Sequence, residues 1–244
     1  MVISLKKILI FFTLFLIGIV SVATMIKIET LKTSASLPLS GKRIVVDAGH
    51  GGLDGGASSK SGLLEKDINL KIANYLKFYL EKNGAKVIMT REKDVSLHSE
   101  DKGSVKSKKR SDLLNRRNIA NISKADAFVS VHLNFFEQSK YKGAQVFYET
   151  MHAESMTLAS FIQQELKNSL DNENNRQISR IDSSKILYQN LTLPSVLVEC
   201  GFLSNPDEAE SLSKKEYQEK VALAVCLGVI KFFQNQKVPE NTGT

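Results

Sequence analysis

Cysteine is scarce in this chain: Cys200 and Cys226 are the only two among 244 residues. Neither belongs to a C-x-x-C pair or lies near a histidine at finger spacing, which excludes a zinc-finger module. Both sit in apolar segments, as buried thiols do, with a disulfide between them the alternative in an exported protein. Tryptophan is absent, and no stretch interleaves basic residues with stacking aromatics, so the sequence indicates no nucleic-acid partner. There are no internal repeats, which excludes solenoids and arrays. Acidic residues are in deficit: 33 Lys and Arg against 26 Asp and Glu leave a formal charge of +7. Lys6 and Lys7 flank an apolar run and account for two of those charges. The remainder suits an anionic partner such as a membrane surface or an acidic polymer.

Charge is also missing from the whole of Ile8–Ile26, ILIFFTLFLIGIVSVATMI. As a helix rising about 1.5 Å per residue, this run is long enough to cross a bilayer. Lys6 and Lys7 before it favour that end staying in the cytoplasm. Ser21-Val22-Ala23 offers small residues for signal-peptide cleavage, so residues 1–27 read as a membrane anchor or a signal peptide. Either reading places the chain beyond residue 27 outside the cytoplasm. Residues 28–42 are small and polar, a linker. Residues 43–234 have the length and the 42% hydrophobic content for one substantial core, and 235–244 read as a flexible tail.

Within 43–234 the expected fold is α/β: a single domain with a mostly parallel twisted sheet flanked by helices. RIVVD (43–47) is a short strand running into a glycine-rich loop. Ile68, Ile72, Leu76 and Leu80 share one face of a helix over 65–82, which Asn83-Gly84 closes. KVIMT (86–90) completes a βαβ unit. Residues 92–110 are polar, with Lys102, Lys106, Lys108, Lys109 and Arg110 close together. They read as a solvated loop, or as a place where an anionic surface or a protein partner docks. A helix from about Ser111 to Ile122 leads to AFVSVHLN (127–134), a buried strand. QVFYE (145–149) reads as a strand suited to an edge. A helix over 154–170 carries Met156, Phe161, Leu166 and Leu170. Residues 171–192 give no clear pattern. SVLVE (195–199) is the last strand, and a helix from about Lys215 to Phe233 closes the domain.

In open α/β sheets, ligands gather beyond the carboxyl ends of the strands. His50, His132 and Glu199 sit at three such ends. His50 lies among Gly49, Gly51, Gly52, Gly55 and Gly56, which allow close backbone approach. The loop has neither G-x-G-x-x-G spacing nor a G-K-[ST] ending, so a phosphate cradle is poorly matched. Taken singly, His50 is also readable as an ordinary polar loop residue, His132 as a core histidine, and Glu65 as a helix N-terminal charge. Together, two imidazoles and a carboxylate make a zinc set that leaves an open position for water. Glu199 ends an apolar strand, where burial raises a carboxyl pKa and fits it to carry protons. A salt bridge to Arg116, Arg117 or Arg180 is its plain alternative.

Four ordered segments then carry a resemblance: VVDAGHGGLDGGA, GLLEKDINL, LLNRRNIANISKADAFVSVHLN and PSVLVECGFLSNPDEA. With them, about residues 42–234 resemble the zinc-dependent N-acetylmuramoyl-L-alanine amidases of bacterial cell walls, type 3, and within these the spore-cortex branch. The resemblance implies Zn2+ held by His50, Glu65 and His132, with Glu199 as the catalytic acid/base. It implies a substrate contact for Asn134 and a structural role for Arg116 and Asn121. The implied substrate is peptidoglycan, glycan strands bearing stem peptides, cut between the lactyl group of muramic acid and L-alanine. In the cortex branch this cleavage precedes formation of muramic lactam. The implied location is the spore envelope between the forespore membranes, tethered through residues 8–26 or secreted. Ala48 stands where the family usually has proline, and no wall-binding repeat accompanies the domain. Other zinc hydrolases of wall polymers, a carboxypeptidase or a deacetylase, share such ligands, and a non-enzymatic wall-binding protein is the third alternative.

Overall fold

A computed structural model describes residues 5–99, 103–182 and 184–236, without the side chains of 5, 7 and 28–36. Lys102 and residues 237–244 of the expected tail lie outside the described residues. Helix α1 covers Leu5–Ser36. Its stretch Ile8–Lys27 has a mean hydropathy of 2.6, is not buried against the rest of the chain, and is long and apolar enough to cross a membrane.

The remaining elements form an α/β sandwich of three layers. Strands β1 (Arg43–Ala48), β2 (Lys86–Met89), β3 (Ala127–Asn134), β4 (Gln145–Tyr148), β5 (Ser179–Arg180) and β6 (Ser195–Phe202) make one sheet in the order β2-β1-β3-β6-β4-β5. β2, β1, β3 and β6 run parallel, β4 pairs antiparallel with β6, and β5 pairs parallel with β4. β4 is therefore one strand in from the edge that QVFYE was expected to hold. The two-residue β5, hidden in the unpatterned 171–192 segment, is the edge.

Alternation along the central strands sorts the side chains to two faces. Val129, Val131, Val196 and Val198 enter the larger core beneath α2 (Glu65–Lys82), α4 (Ala153–Leu170) and α6 (Lys215–Asn235). Ile68, Ile72, Leu76 and Leu80 of α2 are all buried there, as their spacing predicts. In α4 the phase differs from expectation. Leu158, Ala159, Ile162 and Leu166 face inward, and Met156 is half-exposed. α6 packs against α4 at Gly228, where a Cβ would come 2.5 Å from the Ile162 Cα, so only glycine permits the approach.

On the other face, Val45, Phe128 and Leu197 pack with Leu187, Tyr188 and Ala120 under α3 (Val105–Ile122) and a 3-10 turn at Ile186–Tyr188. α3 begins six residues earlier than the expected Ser111. The Ser104 hydroxyl accepts from the Ser107 N–H, so a polar, basic stretch becomes the first two turns of a capped helix. A short helix α5 (Pro206–Ser213) was not expected. It is capped by the Asn205 side chain and started by Pro206.

Candidate metal centre

Parallel register brings the predicted residues together. His132 pairs with Glu199 across β3 and β6, and Ala48 pairs with Val131 across β1 and β3. The loop carrying His50 leaves the end of β1, and Glu65 opens α2. The ligating atoms of His50, Glu65 and His132 all lie within 4.8 Å of one another. His50 Nε2 is 3.2 Å and His132 Nδ1 is 3.0 Å from the same oxygen, Glu65 Oε1. Tetrahedral zinc with bonds near 2.0–2.1 Å has ligand–ligand edges of about 3.3 Å. The two imidazole–carboxylate spacings are close to such edges, and the donor set of two imidazoles and one carboxylate suits Zn2+.

The site is held from behind. Asp54 Oδ2 lies 2.8 Å from His50 Nδ1, which turns Nε2 toward Glu65. Glu65 is buried. Its Oε1 accepts from Leu133 N and Asn69 Nδ2, and its Oε2 accepts from Ala57 N. His50 itself has φ +62°, a conformation rare outside glycine. Donors pin that strained loop. The Ala48 carbonyl accepts from both Arg91 and Arg116, that of Gly49 from Arg91 and Asn69, and that of His50 from Arg116. Arg116 in turn pairs with Asp47 at 2.7 Å and Asp112 at 2.6 Å, all within the interior. Its structural role is as expected. Asn121 serves separately, tying the 190–192 segment to α3.

Glycine is required where the loop meets the ligands. A Cβ on Gly49 would come 2.3 Å from the His132 ring atoms Cε1 and Nε2, and one on Gly56 would come 2.5 Å from Glu65 Oε2. Gly49→Ala is therefore expected to displace His132 and weaken zinc binding about 10–100-fold. Competition with a fluorescent chelator checks this, and an affinity equal to that of the parent would contradict it.

The electrostatics also favour a cation. Burial alone would lower the His50 pKa, but its hydrogen bonds to the Asp54 and Glu65 carboxylates outweigh it and raise it to about 9 in the metal-free protein. Glu65, although buried, is held well below the usual carboxylate range by His132 and His50. A ligating imidazole must lose this proton. Zinc affinity is thus expected to rise about tenfold per unit between pH 6 and 8, because each zinc displaces one proton from His50. Chelator competition at three pH values reads it, and a flat profile would remove His50 from the ligand set.

Glu199 stands apart from the ligands. It makes no ion pair with Arg116, Arg117 or Arg180. Arg116 is spent on Asp47 and Asp112, and Arg117 donates to the carbonyls of Ile186 and Gln189. Its Oε2 is sealed from solvent with no hydrogen-bond partner. Burial, with Glu65 adding to it, pushes the carboxyl up to about 7. Cys200, next in sequence, faces the opposite core, where burial holds its thiol neutral. Cys200 and Cys226 are both free and buried, so the disulfide alternative is not realised. His50, Glu65, His132, Glu199 and Asn134 line one cleft of about 420 Å³. Asp54, Asn69 and Arg91 are functional neighbours that the sequence did not single out. Of the residues that hold the site from behind, the sequence pointed only to Arg116.

Residues 44–231 match the model of a family described as N-acetylmuramoyl-L-alanine amidase. The chain is 45% identical over 204 residues to the germination-specific N-acetylmuramoyl-L-alanine amidase of Bacillus subtilis, covering 84% of this chain and 85% of that protein. It is likewise 45% identical to the CwlD amidase of Clostridioides difficile, solved in complex with the GerS lipoprotein. That match has a TM-score of 0.77 and covers 80% of this chain and all of the other. An N-acetylmuramoyl-L-alanine amidase from Clostridium difficile 630 is 28% identical with a TM-score of 0.69, over 81% of this chain and 98% of that one.

Proposed function

The chain belongs to the type 3 family of N-acetylmuramoyl-L-alanine amidases and is a zinc-dependent amidase-type hydrolase, and from that premise we propose how its residues divide the work. His50, Glu65 and His132 hold the metal, and Glu199 moves the proton. The substrate bond is the amide between the lactyl group of muramic acid and the L-alanine of the peptidoglycan stem peptide. The observation that carries this reading is the convergence of three ligand atoms beside an unpartnered, buried carboxylate oxygen in one cleft.

Zinc in such a set supplies Lewis acidity to the attacking water and to the scissile carbonyl. Glu199 takes a proton from that water as the new C–O bond forms. It returns the proton to the alanine nitrogen as the C–N bond breaks, leaving a lactyl carboxyl and a free amine. Burial, which raises this carboxyl above its ordinary value in the metal-free protein, suits it to accept and hold a proton. Asp54 fixes the His50 tautomer. Asn134 Oδ1 accepts from Phe135 N, an arrangement that leaves the amide NH2 for substrate.

Residues 43–234 act as the catalytic domain, outside the cytoplasm, with residues 8–26 as its tether to a membrane. The similarity to a germination-specific amidase supports work on spore cortex, at the step before muramic lactam forms, between the forespore membranes. The lipoprotein complex of the Clostridioides relative supports a protein partner for this chain as well. Mass analysis of fragments released from peptidoglycan tests the reaction. New peptides beginning with L-alanine are expected. Acetate or a lone C-terminal amino acid would instead identify a deacetylase or a carboxypeptidase, and no fragment at all would identify a binding protein.

A further inference from the structure

The cleft is electrically divided, and the basic stretch of the sequence forms one side of it. The first turn of α3 contains no acidic residue, and Lys106, Lys108, Lys109 and Arg110 all lie near its N-terminal end. Cations there oppose the helix dipole, so this placement carries a cost. Val105, Lys108, Lys109, Asp112, Leu113 and Arg116 recur at helical spacing and face the cleft. Most of their charges are committed. Lys109 reaches Asp54 at 2.7 Å, and Arg116 holds Asp112 and Asp47. Lys108 is left over. Lys185 lines the same cleft beside Ile186 and Leu187. Among the described residues, no carboxylate lies within ion-pairing distance of either lysine.

This wall is preformed. Arg117 of α3 donates to the Gln189 carbonyl at 3.0 Å and also to that of Ile186, while Asn121 donates to that of Asn190. Leu113, Ala120, Leu187 and Tyr188 pack together beneath it. The rest of the lining includes Asp54, already paired with Lys109 and His50, and the carboxyls of Glu65 and Glu199. A negatively charged part of a substrate whose amide sits at the metal site finds a complement in Lys108 and Lys185, whose charges no neighbouring carboxylate among the described residues neutralises at ion-pairing distance.

We propose that this wall is the peptide side of the cleft, and that Lys108 and Lys185 bind a free carboxylate on the residue following the scissile L-alanine. Val105, Ile186 and Leu187 supply the apolar strip for the alanine methyl and the peptide backbone. Successive residues are about 3.5 Å apart along an extended chain, so a carboxylate one residue on stays close enough to the scissile amide to share its cleft. The proposal rests on the amidase reading and adds to it a preference for acidic over amidated stem peptides.

The test uses the full-length, zinc-loaded chain in detergent. The substrates are N-acetylmuramoyl-L-alanyl dipeptides whose second residue carries either a free α-carboxylate or its primary amide. The parent is expected to favour the acid at least tenfold in kcat/KM, mainly through KM, with the advantage shrinking as salt is added. The doubly substituted Lys108→Met, Lys185→Met protein is expected to lose that preference, and the Lys108→Arg, Lys185→Arg protein to keep it. Equal use of both substrates by the parent, or an undiminished preference in the methionine protein, would overturn the proposal. Should the methionine protein prove inactive on both, the preference of the parent and its salt dependence still decide. Failure of the parent to cut either dipeptide would count against the amidase reading instead.

Discussion

Glu199→Gln is expected to lower kcat about 10²–10⁴-fold while zinc stays bound, the range for removing a general acid–base group. Glutamine keeps the size of the side chain and cannot carry the proton. The ligands come from β3, α2 and the loop after β1, and none of their side chains hydrogen-bonds to that of Glu199. Turnover of a muramoyl peptide and zinc content per chain are the two readings. Activity equal to that of the parent would end the assignment of Glu199.

The same substitution has a signature in stability. Burial raises the Glu199 pKa from 4.5 to about 7. A group whose pKa is raised on folding favours the folded state most below its unfolded pKa. That contribution fades as pH rises through the folded value. In the metal-free protein, ionised Glu199 therefore costs on the order of 3 kcal/mol at pH 8. Glu199→Gln should be more stable than the parent at pH 8 and comparable at pH 5. Urea unfolding at the two pH values measures the difference.

Arg116→Met is expected to destabilise the domain by about 3–5 kcal/mol, the usual effect of breaking a buried ion pair from one side. Arg116 is 1% exposed and bridges Asp47 and Asp112. Burial alone would raise the Asp47 pKa, yet Arg116, Ser130 and Thr90 hold it at about 2. Without the guanidinium, a fully buried carboxylate loses its counter-charge. The carbonyls of Ala48 and His50 also lose a donor, so the strained turn that presents His50 loosens and zinc affinity falls with stability. Arg116→Lys would not rescue this, since one ammonium cannot span acceptors that the planar fork reaches together. A loss below about 1 kcal/mol in denaturant unfolding would contradict the role given to Arg116.

These residues show where sequence was informative. Periodicity located α2 because its buried face is continuous, Ile68 to Leu80. Apolar β-branched runs located β1, β3 and β6 because both of their faces are covered. From those strand ends alone, His50, His132 and Glu199 could be placed near one another, and the ordered motifs made the set specific. The start of α3 was hidden because its first two turns lack an apolar stripe. They are set by the Ser104 cap and by pairs such as Lys109–Asp54, which lie far apart in sequence. β5 and the 186–188 turn were hidden for a related reason. β5 is held by a two-residue pairing with β4, and the turn by Arg117 and by burial of Leu187 and Tyr188, with little periodicity of their own. Arg91, Asn69 and Asp47 escaped notice because a buried polar residue looks like any surface residue until its partners are known.

The central claim is that two imidazoles and one carboxylate hold zinc while Glu199 remains free of it. Zinc K-edge absorption of the purified protein tests this most directly. The predicted spectrum has only nitrogen and oxygen neighbours near 2.0–2.1 Å, unchanged in Glu199→Gln and lost in His132→Ala. A sulfur neighbour at about 2.3 Å, which only a displaced cysteine or methionine could supply, or a shell that survives His132→Ala, would contradict it.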